Sequence, residues 1–315
     1  MNLLKPFLII TKSLLFYLFD SLALSNVQFS RRNKLKLILI IRQDAIGDFV
    51  IWLDTAKEYR SLYPPDKYKI VLVGNKIWCD LAEELPYWDK VISLDVKQFK
   101  SFSSYRRNIL RKVRSLGAQI AVQPTFSREF YHGDSLVRAS NAFQKVSSAG
   151  DMSNRNKLKK WLADCWHTEL IPASQGQMSE LERNAEFFSS LSGMAHNAKF
   201  PKLYLPKIKL PQNYAKNKFY VMIPGASADM KKWPVMFFST LAEKIYRNTG
   251  WNGLICGTKS EYHLGEQILK TCTAPLENIA GKTELVELSG FLSQSQLIIT
   301  NDTGTAHISS AVGTP

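Results

Sequence analysis

Ser295-Gln296-Leu297-Ile298-Ile299-Thr300-Asn301-Asp302-Thr303-Gly304-Thr305-Ala306-His307 is the stretch whose reading decides the fold. Leu297 to Ile299 is a short apolar run, the pattern of a buried strand. Asn301-Asp302-Thr303-Gly304 is a tight polar turn, and small residues from Ala306 to Val312 predict a helix. A strand that ends in such a turn and opens a helix leaves free backbone N–H groups at the positive end of the helix dipole. That end is a ready anion site. In α/β folds, phosphorylated ligands bind beyond the carboxyl ends of parallel strands. Taken alone, the turn is equally a plain strand-to-helix connection.

The same alternation runs outward from it. Leu37 to Ile41 is a continuous apolar run, as in a strand buried on both faces. The loop Arg42-Gln43-Asp44-Ala45-Ile46-Gly47-Asp48 follows, then a predicted helix from Phe49 to Tyr63, ended by Pro64-Pro65. Strands are predicted at Tyr68–Val73, Lys90–Leu94 and Ala118–Val122, with a helix near Trp78–Leu85. Residues 147–180 are polar and irregular and predict a loop-rich cover or mobile segment. A helix follows at Glu180–Leu191. Pro201, Pro206 and Pro211 mark an extended linker over 200–218. Beyond it the alternation restarts: a strand at Phe219–Ile223, a helix opened by Lys231-Lys232-Trp233-Pro234, a strand at Gly253–Cys256, and a helix from Glu261. Asn278–Thr283 then reads as a turn before a helix at Leu285–Gln294. The expectation is an α/β protein with doubly wound parallel sheets. Its segments are a membrane-associating stretch over 1–33, a first domain over 34–205 and a second over 206–315.

Composition narrows the partners. The chain has 315 residues and a formal net charge of +14. Residues 1–205 carry +11 of this, so the partner of the first domain is expected to be anionic. Residues 97–114 contain Lys97, Lys100, Arg106, Arg107, Arg111, Lys112 and Arg114 with no acidic residue. They read either as an anion-binding helix or as a solvated face. No nucleic-acid-binding motif is present, so nucleic acid is not an expected partner. The four cysteines are scattered and no metal-ligand spacing occurs, so neither a disulfide framework nor a metal site is expected. Residues 3–24 are apolar but interrupted by Lys5, Lys12 and Asp20, too broken to span a bilayer. With Arg31, Arg32, Lys34 and Lys36 following, this segment reads as an in-plane anchor on an anionic leaflet, or as a helix packed on the domain.

Four loops of the second domain each follow a strand: Pro224–Ser227, Gly257–Glu261, Gly281–Thr283 and Asp302–Gly304. Parallel strands end on one side, so these loops converge. Together they offer N–H groups and Lys231 for phosphates and Glu261 for ribose or base, the inventory for a nucleoside diphosphate. Read singly, Lys231 is an ordinary surface lysine. No P-loop and no GxGxxG pattern occurs. In the first domain Asp48 has two readings, a helix N-cap or a general base.

The loop Arg42–Asp48, the Lys231-x-Trp233-Pro234 element after Pro224-Gly225-Ala226-Ser227, and Asn301-Asp302-Thr303-Gly304-x-x-His307 closing on Gly313-Thr314-Pro315 resemble glycosyltransferase family 9. These are the heptosyltransferases of lipopolysaccharide core assembly and their relatives. Gly281-Lys282-Thr283 and Glu182-Arg183-Asn184 resemble the same family. The resemblance implies a GT-B fold, with two Rossmann-like domains facing across a cleft. It implies an inverting, metal-independent transferase with a nucleotide-diphospho-sugar co-substrate, typically ADP-heptose. It implies an anionic glycolipid acceptor and work at the cytoplasmic face of the inner membrane. By position Asp48 is similar to the catalytic base. Ser227, Lys231, Glu261, Asp302, Thr303, Gly304 and His307 are similar to the donor contacts. Arg106, Arg107 and Arg111 of the basic segment are then expected to meet the acceptor. A catalytically silent nucleotide-sugar-binding protein of the same fold is the alternative. Two departures stand out. Family members continue past the position of Pro315, so the second domain is expected to be incomplete here. The apolar segment 1–24 is outside the common pattern and favours a branch acting on another lipid-linked glycan.

Overall fold

The computed structural model describes residues 4–28, 35–205, 214 and 217–315. Arg31, Arg32 and Lys34, and most of the expected linker including Pro206 and Pro211, lie outside the described residues. The chain divides into two compact units: Met1–Asp44 with Trp52–Lys199, and Ala45–Ile51 with Phe200–Pro315. The start of the helix after the first strand therefore groups with the second unit.

The first unit holds a six-stranded parallel sheet in the order β3-β2-β1-β4-β5-β6. Its strands are β1 (Lys36–Ile41), β2 (Tyr68–Asn75), β3 (Lys90–Leu94), β4 (Ile120–Gln123), β5 (Gln144–Ser148) and β6 (Glu169–Ile171). The central strand β1 is buried from Leu37 to Ile41, which is why its sequence is unbroken aliphatic. It pairs in parallel with β2 on one side and β4 on the other, so strand order reverses beside it. Helices α2 (Ile46–Ala56), α3 (Glu58–Leu62), α4 (Cys79–Glu83), α5 (Val96–Phe99), α6 (Ser104–Ser115), α7 (Ser135–Ser140), α8 (Lys157–Asp164) and α9 (Glu180–Ser192) connect or flank these strands. The helix expected over 49–63 begins earlier and breaks at Lys57 into α2 and α3. Asp48 consequently sits within the first turn of α2 and is not its N-cap.

Two expectations need correction. Residues 147–180 are not a loose cover. They contain the end of β5, all of α8 and β6, and a buried ionic cluster ties them down. Arg155 Nη1 lies 3.3 Å from Asp134 Oδ2, Arg128 pairs with both Asp134 and Asp164, and Lys160 Nζ is 2.6 Å from Asp164 Oδ2. Desolvation pushes the Asp134 carboxyl up and pushes the buried His167 down to about 3. The second correction is Arg106, expected to meet a ligand. Its side chain is fully buried. Nε and Nη2 donate to Asp20 Oδ1 and Oδ2 at 2.7 and 2.6 Å, and other donors reach Phe99 O, Tyr131 O and Ser135 Oγ. The guanidinium is stacked on Phe16 and Phe99. Arg106 is thus the fastener of α1 (Leu4–Leu24), whose inner residues Phe16, Asp20 and Ala23 are buried. Arg107 and Arg111 are exposed, and Arg111 Nε donates to Ala23 O at 2.9 Å, at the end of α1.

The second unit holds a four-stranded parallel sheet in the order β10-β7-β8-β9. The strands are β7 (Phe219–Ile223), β8 (Asn252–Ile255), β9 (Leu276–Asn278) and β10 (Ile298–Thr300). β7 is buried throughout, while β10 is half-buried at an edge of the described sheet, not the buried strand its aliphatic run suggests. Helices α10 (Val235–Thr249), α11 (Tyr262–Thr271), α12 (Leu285–Gln294) and α13 (Gly304–Val312) follow the four strands in turn. Tyr220, Met222, Phe238, Ala242, Ile255 and Ile268 form the core under them.

Breaking one half of a buried ion pair leaves an uncompensated charge, typically worth about 3–5 kcal/mol. Arg106→Ala is expected to lower stability by an amount in that range, and Arg107→Ala by roughly 0.5 kcal/mol or less. Urea unfolding of the two variants checks this.

Candidate functional site

In the second unit the strand order reverses between β7 and β10, and the loops after those strands meet there. Asn301, directly after β10, is buried. Its Nδ2 donates to Pro224 O at 2.8 Å and Gly225 O at 3.3 Å, and its Oδ1 accepts from Trp233 N at 3.2 Å. One amide therefore ties together the loop after β7, the Lys231-x-Trp233-Pro234 element and the Asp302-Thr303-Gly304 turn. Asparagine suits the task because it donates and accepts from one short side chain. The sequence reading placed Asn301 within the turn without seeing it as the joint.

The groups on this frame are open. Lys231 Nζ lies 2.6 Å from Asp302 Oδ2, with the lysine side chain 43% and the aspartate 70% exposed. The hydrogen bond to Lys231 and its charge hold the Asp302 carboxyl below the usual range. Thr303 Oγ1 contacts Thr305 Oγ1 at 2.6 Å, and Thr303 precedes the first residue of α13. Ser227, in the loop after β7, is exposed. Glu261 caps its own turn: its Oε2 accepts from Thr258 N at 2.7 Å and Thr258 Oγ1 at 2.8 Å. A Cβ at Gly225 would lie 1.9 Å from Glu261 Oε1, so only glycine lets the carboxylate lie against the loop after β7. Gly281, with φ at +73°, lies against the Lys259 backbone, where a Cβ would be 2.6 Å from Lys259 Cα. Four post-strand loops thus close on one rim, with a lysine, two carboxylates, hydroxyls and the start of α13.

The start of α2 lies on this same unit. A Cβ at Gly47 would be 2.6 Å from His307 Cδ2, and one at Gly304 would be 2.7 Å from Ile46 Cβ. The first turns of α2 and α13 are therefore in van der Waals contact through two glycines, with the His307 ring laid on Gly47. Asp48, half-exposed, is the next residue.

In the first unit the loop after β1 is held by Arg42, which is fully buried. Its Nη1 donates to Asn184 Oδ1 and its Nη2 to Glu180 Oε1, each at 2.7 Å, and its Nε lies 2.8 Å from Asp44 Oδ2. The guanidinium lies 5.0 Å from the Trp52 ring. This explains the Glu182-Arg183-Asn184 element: Asn184 positions Arg42, and Arg183 stacks on Phe126 at 4.1 Å while bonding the carbonyls of Ser174 and Gly176. Arg42 and Asn184 are positioning residues whose long-range pairing no sequence spacing discloses.

Two variants separate the frame from the open groups. Asn301→Ala leaves a part-buried N–H and two buried carbonyls without this partner, and is expected to cost about 2–3 kcal/mol. Lys231→Ala removes an exposed pair and is expected to cost less than about 1 kcal/mol. Chemical denaturation of both distinguishes the two roles.

The sequence profile of glycosyltransferase family 9 (heptosyltransferase) matches residues 156–315, just over half of the chain. The lipopolysaccharide core heptosyltransferase OpsX of Haemophilus influenzae is 31% identical over 100 residues, which is 31% of this chain and 28% of that protein. The lipooligosaccharide heptosyltransferase 2 of the same organism is 32% identical over 97 residues, 29% of this chain and 28% of that one. The matched stretch thus spans under a third of the length of either relative. Among solved structures, a family 9 glycosyltransferase from Veillonella parvula superposes with a TM-score of 0.71 at 15% identity, covering 91% of this chain and 81% of that one. The ADP-heptose lipopolysaccharide heptosyltransferase II of Escherichia coli superposes with a TM-score of 0.65 at 16% identity, covering 89% and 83%. These likenesses bear on the fold, which is GT-B. With the profile match running from the start of α8 to Pro315, over half of its length, the chain belongs to glycosyltransferase family 9.

Proposed function

We propose that the protein is an inverting glycosyltransferase that moves a heptose from ADP-heptose to an anionic glycolipid of the lipopolysaccharide core type. The relatives it matches are named as heptosyltransferases, and solved neighbours include an E. coli heptosyltransferase with ADP. The observation that carries the reading is the contact of the first turn of α2 with α13 through Gly47, Gly304 and His307, because Asp48 follows Gly47 in that turn.

The chemistry follows from these groups. The Asp48 carboxylate takes the proton of the attacking acceptor hydroxyl. That oxygen bonds to the anomeric carbon as the bond from that carbon to the diphosphate oxygen breaks. ADP leaves with the electron pair, and attack opposite the leaving group inverts the centre. The developing charge on the diphosphate meets the Lys231 ammonium and the N–H groups at the start of α13. Asp302 releases Lys231 readily because their pair is exposed. In this reading the lysine and the helix end supply the positive charge, and no metal is required. Glu261 Oε1, beside Gly225, is left for the nucleoside. The exposed Arg107 and Arg111 remain candidates for the acceptor's anionic groups.

The enzyme works at a lipid surface in the same reading, on the cytoplasmic side of the inner membrane. The outer face of α1 exposes Ile10, Leu14, Leu15, Leu18 and Leu22, while Phe16 and Asp20 fix its inner face. Lys12 and Lys159 both lie over the Tyr131 ring, at 5.6 and 4.5 Å, beside this stripe. An apolar stripe with cations alongside suits an anionic interface. No helix among the described residues is long and apolar enough to cross a membrane.

Asp48→Asn is expected to lower sugar transfer at least a hundredfold while ADP affinity changes by no more than a few-fold. Radiolabelled transfer and calorimetry measure the two. Retained turnover removes Asp48 as the base. Leu14→Asp with Leu18→Asp is expected to abolish co-sedimentation with phosphatidylglycerol vesicles, and unchanged sedimentation refutes the anchor.

A further inference from the structure

A shallow basic concavity of about 630 Å³ opens where the end of α1 meets the second half of α6, wholly within the first unit. Ser25 and Asn26 come from the chain just after α1, and Asn108, Arg111, Lys112 and Ser115 come from α6. Ser115 also borders Leu37 and Lys69, at the starts of β1 and β2. The concavity therefore lies at the amino-end edge of the six-stranded sheet. A parallel sheet sends every strand-following loop to the opposite edge, the one such folds use for their substrates. This site is not part of that rim.

Its groups are set for an anion. The Arg111 guanidinium is held in place by Nε, which donates to Ala23 O at 2.9 Å. Its two Nη groups make no hydrogen bond or ion pair among the described residues, and they present the paired geometry that takes two oxygens of one phosphate. The Lys112 ammonium and the amides of Asn26 and Asn108 are likewise unpaired among the described residues, and the lining contains no carboxylate. The negative end of α1 is answered from within the protein. Ser25 N donates to Ser21 O at 3.0 Å, Ser25 Oγ to Leu22 O at 2.8 Å, and Arg111 takes Ala23 O.

The apolar stripe of α1 leads straight to this place. Leu15, Leu18 and Leu22 recur at helical spacing on one face, and Ser25 carries that face to the lip of the concavity. Leu22 is 73% exposed. Farther back along the stripe, Lys12 and Lys159 stand over Tyr131, which follows the carboxyl end of β4. Cations thus flank the stripe toward both edges of the sheet. A free phosphate has no use for the leucines, whereas a phospholipid uses both parts. We propose that the concavity binds the phosphate of an anionic bilayer phospholipid, with the oxygens on Arg111, Lys112 and the two amides and the acyl chains passing along Leu22. The choice of a lipid rests on the reading of α1 as a membrane-facing helix; the phosphate site itself does not. Arg111 is thereby assigned to the bilayer, and Arg107 alone is left for the acceptor.

Two measurements on the full chain test the site. One is co-sedimentation with vesicles of phosphatidylcholine and phosphatidylglycerol that carry no glycolipid. The other is NMR titration with water-soluble dibutanoyl phosphatidylglycerol. Arg111→Lys keeps the charge but loses the paired donors, and is expected to weaken both interactions about fivefold. Asn108→Asp places a carboxylate in the concavity at an exposed position with no hydrogen bond to lose. It is expected to abolish binding of the soluble lipid while the thermal unfolding midpoint stays at the wild-type value. Undiminished binding in Arg111→Lys means that charge alone suffices and overturns the site, as does undiminished binding in Asn108→Asp. A response confined to vesicles that carry a phosphorylated glycolipid also overturns it and returns Arg111 to the acceptor. If the wild-type chain ignores vesicles yet binds the soluble lipid through Arg111, the membrane-facing reading of α1 fails and the phosphate site stands.

Discussion

Parallel strand pairing is the constraint on which this protein depends. A parallel ladder forces each connection to cross back over the sheet, so every strand delivers its following loop to one edge. In both sheets a central strand has its sequence neighbour on one side and a later strand on the other: β1 between β2 and β4, β7 between β8 and β10. The loops after these pairs cannot close over each other, because their helices depart to opposite faces. The gap left at the reversal is where Asn301 joins loops in one unit and where Gln43 and His132 face a cavity in the other. The polar chemistry of the chain collects at these two gaps because topology leaves them open.

The loops at the gaps are held by buried polar side chains rather than by apolar packing. Arg42, Arg106 and Arg128 are all fully buried, and each is matched to a carboxylate. Such pairs contribute little net stability against a hydrophobic isostere, but each fixes a geometry. Arg42 orients the loop after β1, Arg106 seats α1, and Arg128 joins α8 to the turn that carries His132. The positive charge so prominent in composition is therefore partly internal to the first unit, and the surface is less basic than the count of Lys and Arg implies.

That is also where sequence reasoning reached its limit. β1 and β7 were legible because a strand buried on both faces is an unbroken aliphatic run. α12 was legible from its boundaries, Leu285 and Gln294. β9, Leu276–Asn278, was not, because three residues at an edge carry no periodicity. β10 read as buried because its residues are aliphatic, yet an edge position leaves them half-exposed. Arg106 sits in a run of cations without acids, and its partner Asp20 lies 86 residues away. No local spacing discloses such a pair. The groups expected around Asp302 were readable as a group because four loops carry them in order. Asn301 was not, since its meaning lies in what it touches.

The seating of α1 has a mechanical consequence. A helix joined to a domain by a flexible tether lets the domain swing freely. α1 is instead bolted along its length: Ser13 to Tyr131, Phe16 on Phe102, Asp20 on Arg106, and Ala23 to Arg111. Its outward leucines and the six-stranded sheet therefore move as one rigid piece. Any surface that receives Leu14, Leu18 and Leu22 receives with them a fixed tilt of that sheet, and the direction in which its strand ends open is set by the docking itself.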